Sequence, residues 1–160
     1  MNREIELLLG LLDEAFDKKA WHGPNLRGAL RSLAPEEAAW RPSPDRHSIW
    51  ELTVHAAYWK YAVRRRLTGE KRGSFARKGS NWFELPAGAP SQSAWREDVA
   101  LLIAEHRKLR EVVAALPDKR LRRRAAGSRY TNLALIRGIA AHDLYHAGQV
   151  QLLKRLARWR

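Results

Sequence analysis

The stretch Ile139-Ala-Ala-His-Asp-Leu-Tyr-His-Ala-Gly-Gln-Val-Gln-Leu-Leu153 carries two histidines four residues apart within a helical rhythm of apolar residues. Leu135, Ile139, His142, His146, Gln149 or Val150, Leu153 and Leu156 recur at three- and four-residue intervals, the pattern of a helix with one face turned to a core. Spacing of four puts both imidazoles on that face, near enough to share a metal ion. On this reading His142 and His146 stand where leucines would otherwise pack. Burying two imidazoles without partners costs a few kcal/mol, so something polar has to satisfy them.

The pair alone is a weak motif, because a core histidine is commonly just hydrogen-bonded to a neighbour. A third histidine strengthens it. His55 falls on another periodic segment, in which Leu52, His55 or Ala56, Trp59, Ala62 or Val63, and Leu67 mark the inward face. Three histidines from two helices suit a three-nitrogen metal site with an open position, or a buried cluster of mutually bonded imidazoles.

Outward from these two segments the chain reads as helices joined by turns. Ile5, Leu8, Leu9, Leu12 and Phe16 define a first helix, and Asn25 caps a short one carrying Leu26, Leu30 and Leu33. Pro35 suits a first helical position after Ala34. Ser48 and Glu51 form a capping box that opens the helix bearing His55, which runs to about Thr68-Gly69. Residues 69–90 are rich in Gly, Pro, Ser and Lys and read as a long crossover, with room for a short helix around Asn81-Trp82-Phe83. The next helix begins near Ser91 or Ser93 and runs to Leu116, with a stripe of Trp95, Val99, Leu102, His106, Leu109, Val113 and Leu116. Asp118 to Tyr130 is basic and reads as a loop or irregular strand pair, and the last helix spans about Asn132 to Ala157. Four long amphipathic helices and one long connection predict an all-α fold, a four-helix bundle forming a single domain over residues 1–160.

Composition sets further bounds. At 160 residues with 45% apolar content, the chain can bury a substantial core. Without cysteine, disulfides, thiolate ligands and a protein thiol nucleophile are excluded. No apolar run reaches membrane-spanning length and the opening segment is amphipathic and acid-containing, so a cytoplasmic protein with no membrane partner is expected. The net charge of +13 is concentrated in Arg64-Arg65-Arg66, Lys71-Arg72, Arg77-Lys78 and Lys119 to Arg124. Such clusters attract polyanions, but these fall at predicted helix ends and in loops, where solvation accounts for them. No zinc finger, basic zipper or base-reading cluster of Arg, Asn and Gln is present, so no specific nucleic-acid partner is expected.

Taken in order, Trp21-His-Gly-Pro24, Arg41-Pro42, His47-Ser-Ile-Trp-Glu-Leu-Thr-Val-His55 and His142-Asp-Leu-Tyr-His-Ala-Gly-Gln149 resemble the DinB/YfiT-like superfamily across essentially the whole chain. The closing His-Asp-x-x-His-Ala-Gly-Gln segment is the most specific part. The resemblance implies a four-helix bundle, commonly a homodimer, with a divalent metal held by three histidines at positions matching His55, His142 and His146. It also implies a metal-dependent enzyme acting on a small-molecule substrate, either a hydrolase or a thiol S-transferase with a low-molecular-weight thiol as co-substrate. Zinc, nickel or iron would suit the three nitrogens.

Candidates around that metal are fewer. Glu51, one turn before His55, could accept a proton, although the capping box already accounts for it. Gln149 returns to the metal-bearing face and could hold substrate or support a ligand. Asp143 could orient a ligand histidine, with a surface pair to Arg137 the more ordinary expectation. Tyr58 and Tyr145 read as packed aromatics, and His22, His47 and His106 as capping or core histidines outside the metal shell. The alternative function is a basic, non-enzymatic protein that binds nucleic acid or another polyanion and keeps a structural or vestigial metal site.

Overall fold

The computed structural model describes residues 3–159, and every element in it is helical: α1 (Arg3–Phe16), α2 (Leu26–Ala29), α3 (Pro35–Ala39), α4 (Ile49–Thr68), α5 (Gln92–Ala114), α6 (Asp118–Leu121) and α7 (Asn132–Ala157). The fold is the all-α four-helix bundle with a long crossover. α4 packs between α5 and α7, and α1 closes the ring against both, so that α1 and α4 are diagonal. None of the described helices is long and apolar enough to cross a membrane.

Local signals set the helix ends. At the start of α4, Glu51 N–H donates to Ser48 Oγ at 3.2 Å and Ser48 N–H donates to the Glu51 carboxylate at 2.8 Å, the reciprocal capping box. At its end Gly69 takes φ +85°, a left-handed cap that lets its N–H reach the Arg65 carbonyl. Ser91 and Thr131 cap α5 and α7 through their hydroxyls. α4 is the central helix: nearly every residue from Ile49 to Val63 is buried, Trp59 alone being half-exposed.

Three expectations change. The second helix stops at Ala29 rather than continuing through Leu33, because Ser32 turns into the left-handed region at φ +59°. No helix forms at Asn81-Trp82-Phe83, where Asn81 is itself left-handed at φ +67°. The basic segment after α5 holds one helical turn, α6, and an isolated antiparallel bridge between Arg124 and Thr131.

The core face of α7 is also rotated from the one the periodicity predicts. Ile136, Ile139, Ala140, Asp143, His146, Ala147, Val150 and Leu153 are buried, whereas Leu135 and His142 are half-exposed and Leu156 is exposed. The histidines therefore border the core at the α4–α7 seam instead of replacing leucines at its centre.

Candidate metal centre

His55 projects from the middle of α4, and His142 and His146 from successive turns of α7. Their Nε2 atoms converge: His142 Nε2 lies 3.1 Å from that of His55 and 3.0 Å from that of His146. A tetrahedral ion bound at about 2.0–2.1 Å needs nitrogens about 3.3 Å apart, so a few tenths of an ångström of side-chain movement would admit one.

The outer nitrogens fix which tautomers are present. His55 Nδ1 is 2.8 Å from the Asn81 carbonyl oxygen, an acceptor, so this nitrogen carries the proton. His146 Nδ1 stands 2.6 Å from the Gln149 side-chain oxygen and carries its proton for the same reason. Each ring then presents a bare lone pair at Nε2. Charging them is disfavoured. Burial pulls His55 down to about 4 and His142 down to about 3, with the neighbouring histidines adding to the burial effect. Burial lowers His146 as well, against the hydrogen bond that it donates to Gln149. Two lone pairs thus face His142 Nε2, which could offer one proton to only one of them. Its own Nδ1 is buried without a partner. The cluster is short of an electron-pair acceptor, and a divalent cation supplies one to all three nitrogens. Among the described residues no carboxylate joins them.

Around the ligand-type nitrogens lies a shell of which the sequence marked Gln149 alone. Trp82, in the crossover, stacks on His55 at 3.9 Å and on His47 at 3.5 Å between ring centroids. Asn81 holds His55 through its carbonyl and accepts from Trp59 Nε1 through its side chain at 2.9 Å. Gln149 bridges His146 to the hydroxyl of exposed Tyr145.

Glu51 is buried, and its carboxylate is engaged by Ser48, by Arg41 in a two-bond ion pair, and by His47 at 3.4 Å. Burial pushes its pKa up, but the donors outweigh that and hold it below the usual range. None of these partners is a cluster histidine. Tyr58 packs in an aromatic group with Tyr61, Phe75 and Phe83. His22 is exposed and apart from the cluster.

Asp143, one residue after His142, does not pair with Arg137. It is fully buried against Lys60 Nζ of α4, and Lys60 also stands 3.3 Å from His106 Nδ1. His106 stacks on Phe16 of α1 at 3.9 Å. Asp13, Asp17 and His106 bring ligand-type atoms within 4.8 Å of one another, yet Arg110 occupies both oxygens of Asp13 and Arg27 holds Asp17. With Lys60 adjacent, that grouping is already supplied with cations.

A cavity of about 420 Å³ opens beside the three histidines, between α4 and α7. His142 and Trp59 line it near the cluster, Arg66 of α4 and Tyr130, just before α7, line its far end, and Val63, Leu135 and Ile139 form apolar wall between. The metal-type cluster therefore adjoins a volume that suits a small ligand.

Comparison with known proteins gives one match. A family model described as the DinB superfamily matches residues 20–150. No curated protein and no solved structure matches the chain.

Proposed function

The chain belongs to the DinB superfamily, and from that premise we propose that it is a metal-dependent enzyme whose divalent cation is bound by His55, His142 and His146. The substrate is a small electrophile, attacked by water in hydrolysis or by a small thiol in S-transfer. The observation that carries this reading is the pair of Nδ1-protonated rings, His55 on Asn81 and His146 on Gln149, whose bare Nε2 atoms converge on His142. A bound divalent cation would lower the pKa of water or a thiol and so supply a nucleophile near neutral pH.

The chain's own groups have separable duties. Asn81 and Gln149 hold the protons of His55 and His146 away from the cluster and orient the rings. The burial that depresses the histidines keeps them neutral, and therefore able to bind a cation, throughout the physiological range. The apolar wall of the adjoining cavity excludes bulk water from the substrate's body. Three nitrogen donors leave coordination positions open, which favours a reactive over a purely structural role.

Metal analysis of protein purified without a histidine tag tests the site, with an expected stoichiometry of one divalent ion per chain. A cobalt- or nickel-substituted sample should change its absorption when a small thiol or anionic ligand is added. A spectrum unmoved by a broad ligand set would sink the enzyme reading. A screen of small thiols and of water alone against activated esters and alkyl halides would then separate S-transfer from hydrolysis.

A further inference from the structure

Arg66 lies three turns beyond His55 on α4, and none of the described residues gives its guanidinium a counterion. It is half-buried, it lines the 420 Å³ cavity, its Nε is buried without a hydrogen-bond partner, and it has no ion pair among the described residues. Of its neighbours in sequence, Arg64 is held by Glu70 and Glu105, and Arg65 donates to the Glu70 carbonyl. Arg65 shares the unpartnered buried Nε and has no ion pair among the described residues, but it does not line the cavity. A guanidinium partly withdrawn from water without an acid costs free energy, and a ligand that brings an anion recovers it.

Position sharpens the point. His55, Trp59, Val63 and Arg66 follow one another along a single face of α4, and 11 residues at about 1.5 Å each separate the backbone positions of His55 and Arg66 by about 16 Å. α7 runs antiparallel beside this face, so that the N–H of Ala126, just before α7, meets the Arg66 carbonyl while His142 meets His55. The cavity is thus an elongated groove with histidine at one end, a lone cation at the other and apolar wall between. Gly138 lines the wall, and a Cβ built there would meet nothing within 4 Å.

We propose that this groove binds an amphiphilic anion, its apolar body against Trp59, Val63, Leu135 and Ile139, its anionic group on Arg66, and its opposite end presented to His142. Only the last clause rests on reading the histidine cluster as a reaction centre. Charge-assisted bonds to a guanidinium give the anion its preference over a neutral ligand of equal length.

Calorimetric titration of the full chain with octanoate and with 1-octanol, in zinc-loaded and metal-free protein, tests the proposal. Octanoate is expected to bind on the order of tenfold more tightly than octanol in both forms. Arg66→Met should remove that preference while octanol still binds, Arg66→Lys should keep part of it, and Gly138→Leu should abolish binding of both by filling the groove. Retained octanol binding shows that Arg66→Met is folded. If octanoate binds equally well to Arg66→Met and wild type without metal, or binds only with zinc and independently of Arg66, its carboxylate sits elsewhere and the proposal fails. Failure of both ligands to bind at millimolar concentration overturns it as well. If the protein fails to take up zinc at all yet binds octanoate through Arg66, the groove stands, and the failed zinc uptake removes the metal-centre reading instead.

Discussion

Two polar clusters lie side by side in the bundle, each drawing on α4 and α7 and the first also on α1 and α5, and they are balanced in opposite ways. Lys60 and Asp143 form a fully buried ion pair, extended by His106 and flanked by Asp13 and Asp17 with their arginines. Positive and negative groups match there, and what remains unsatisfied is minor: one oxygen of Asp143 and Nε2 of His106. His55, His142 and His146 form the other cluster, in which neutral acceptors converge with no cation supplied by the chain. Burial alone therefore does not identify a site. Closed charge balance fits a cluster that holds the fold, and an imbalance at the wall of a cavity is what the proposed metal site requires.

The largest effect should come from breaking the balanced cluster. Asp143→Ala leaves Lys60 buried and unpaired and should cost about 3–5 kcal/mol in urea unfolding. The double replacement Lys60→Met/Asp143→Leu should restore stability to within about 1 kcal/mol of wild type, or raise it, because two costly desolvations vanish together. A single mutant as stable as wild type would show that the pair contributes no balance at all.

Next in size is the loss of cation binding. His55→Ala, His142→Ala or His146→Ala should each weaken zinc affinity more than about a hundredfold, since removing a ligand exceeds the 10- to 100-fold effect of removing a ligand's support. His106→Ala should leave zinc stoichiometry at one. Full occupancy in His142→Ala/His146→Ala would dissolve the distinction between the two clusters.

The pH dependence of the metal-free protein follows from the same contrast. The folded-state pKa values of His55 and His142 sit at about 4 and about 3, below the unfolded value near 6.5, and that of His146 is also lowered. Between these limits the unfolded chain binds more protons, so stability is complete above about pH 6.5 and is lost progressively as pH falls. Urea midpoints measured from pH 7 to pH 5 should decline, with each histidine contributing at most about 1.4 kcal/mol per pH unit. Replacing one cluster histidine by leucine should flatten the decline, and an unchanged slope would contradict the depressed pKa values.

A smaller effect is expected from Gln149→Leu, which removes the acceptor that sets the His146 tautomer. Zinc affinity should fall about tenfold with little change in unfolding midpoint. Gln149→Glu, which keeps the acceptor, should hold most of it.

These contrasts also explain what could be read from the chain beforehand. The capping box at Ser48 and Glu51 and the long periodic segments bound the bundle correctly, because caps and periodicity are local. His142 and His146 share a helix, so their spacing alone brings them together. His55 joined them only through the family resemblance and a stripe that admitted either His55 or Ala56. The rotation of α7 was hidden because Asp143 counts as a surface residue until Lys60, 83 residues earlier, is known to face it. A lone lysine in the apolar run Ala56 to Val63 and a lone aspartate on an apolar helix are the available signal, legible only when the two are taken as complementary charges. Asn81 and Trp82 stood out only as room for a short helix, and their contact with His55 left no trace, since a crossover without periodicity does not say where it returns.

Asn81 and Trp82 have a consequence beyond orientation. They clasp the ring whose far nitrogen belongs to the cluster, so on the proposed metal reading docking of the crossover and capture of a cation are two legs of one thermodynamic cycle. Whatever fastens the crossover must tighten the ion, and by reciprocity the ion must fasten the crossover. Adding zinc should therefore slow deuterium uptake and protease cleavage across residues 70–85, and Trp82→Ala should uncouple the two. A segment that reads as mere connection would then serve as the external reporter of whether the centre beneath it is filled.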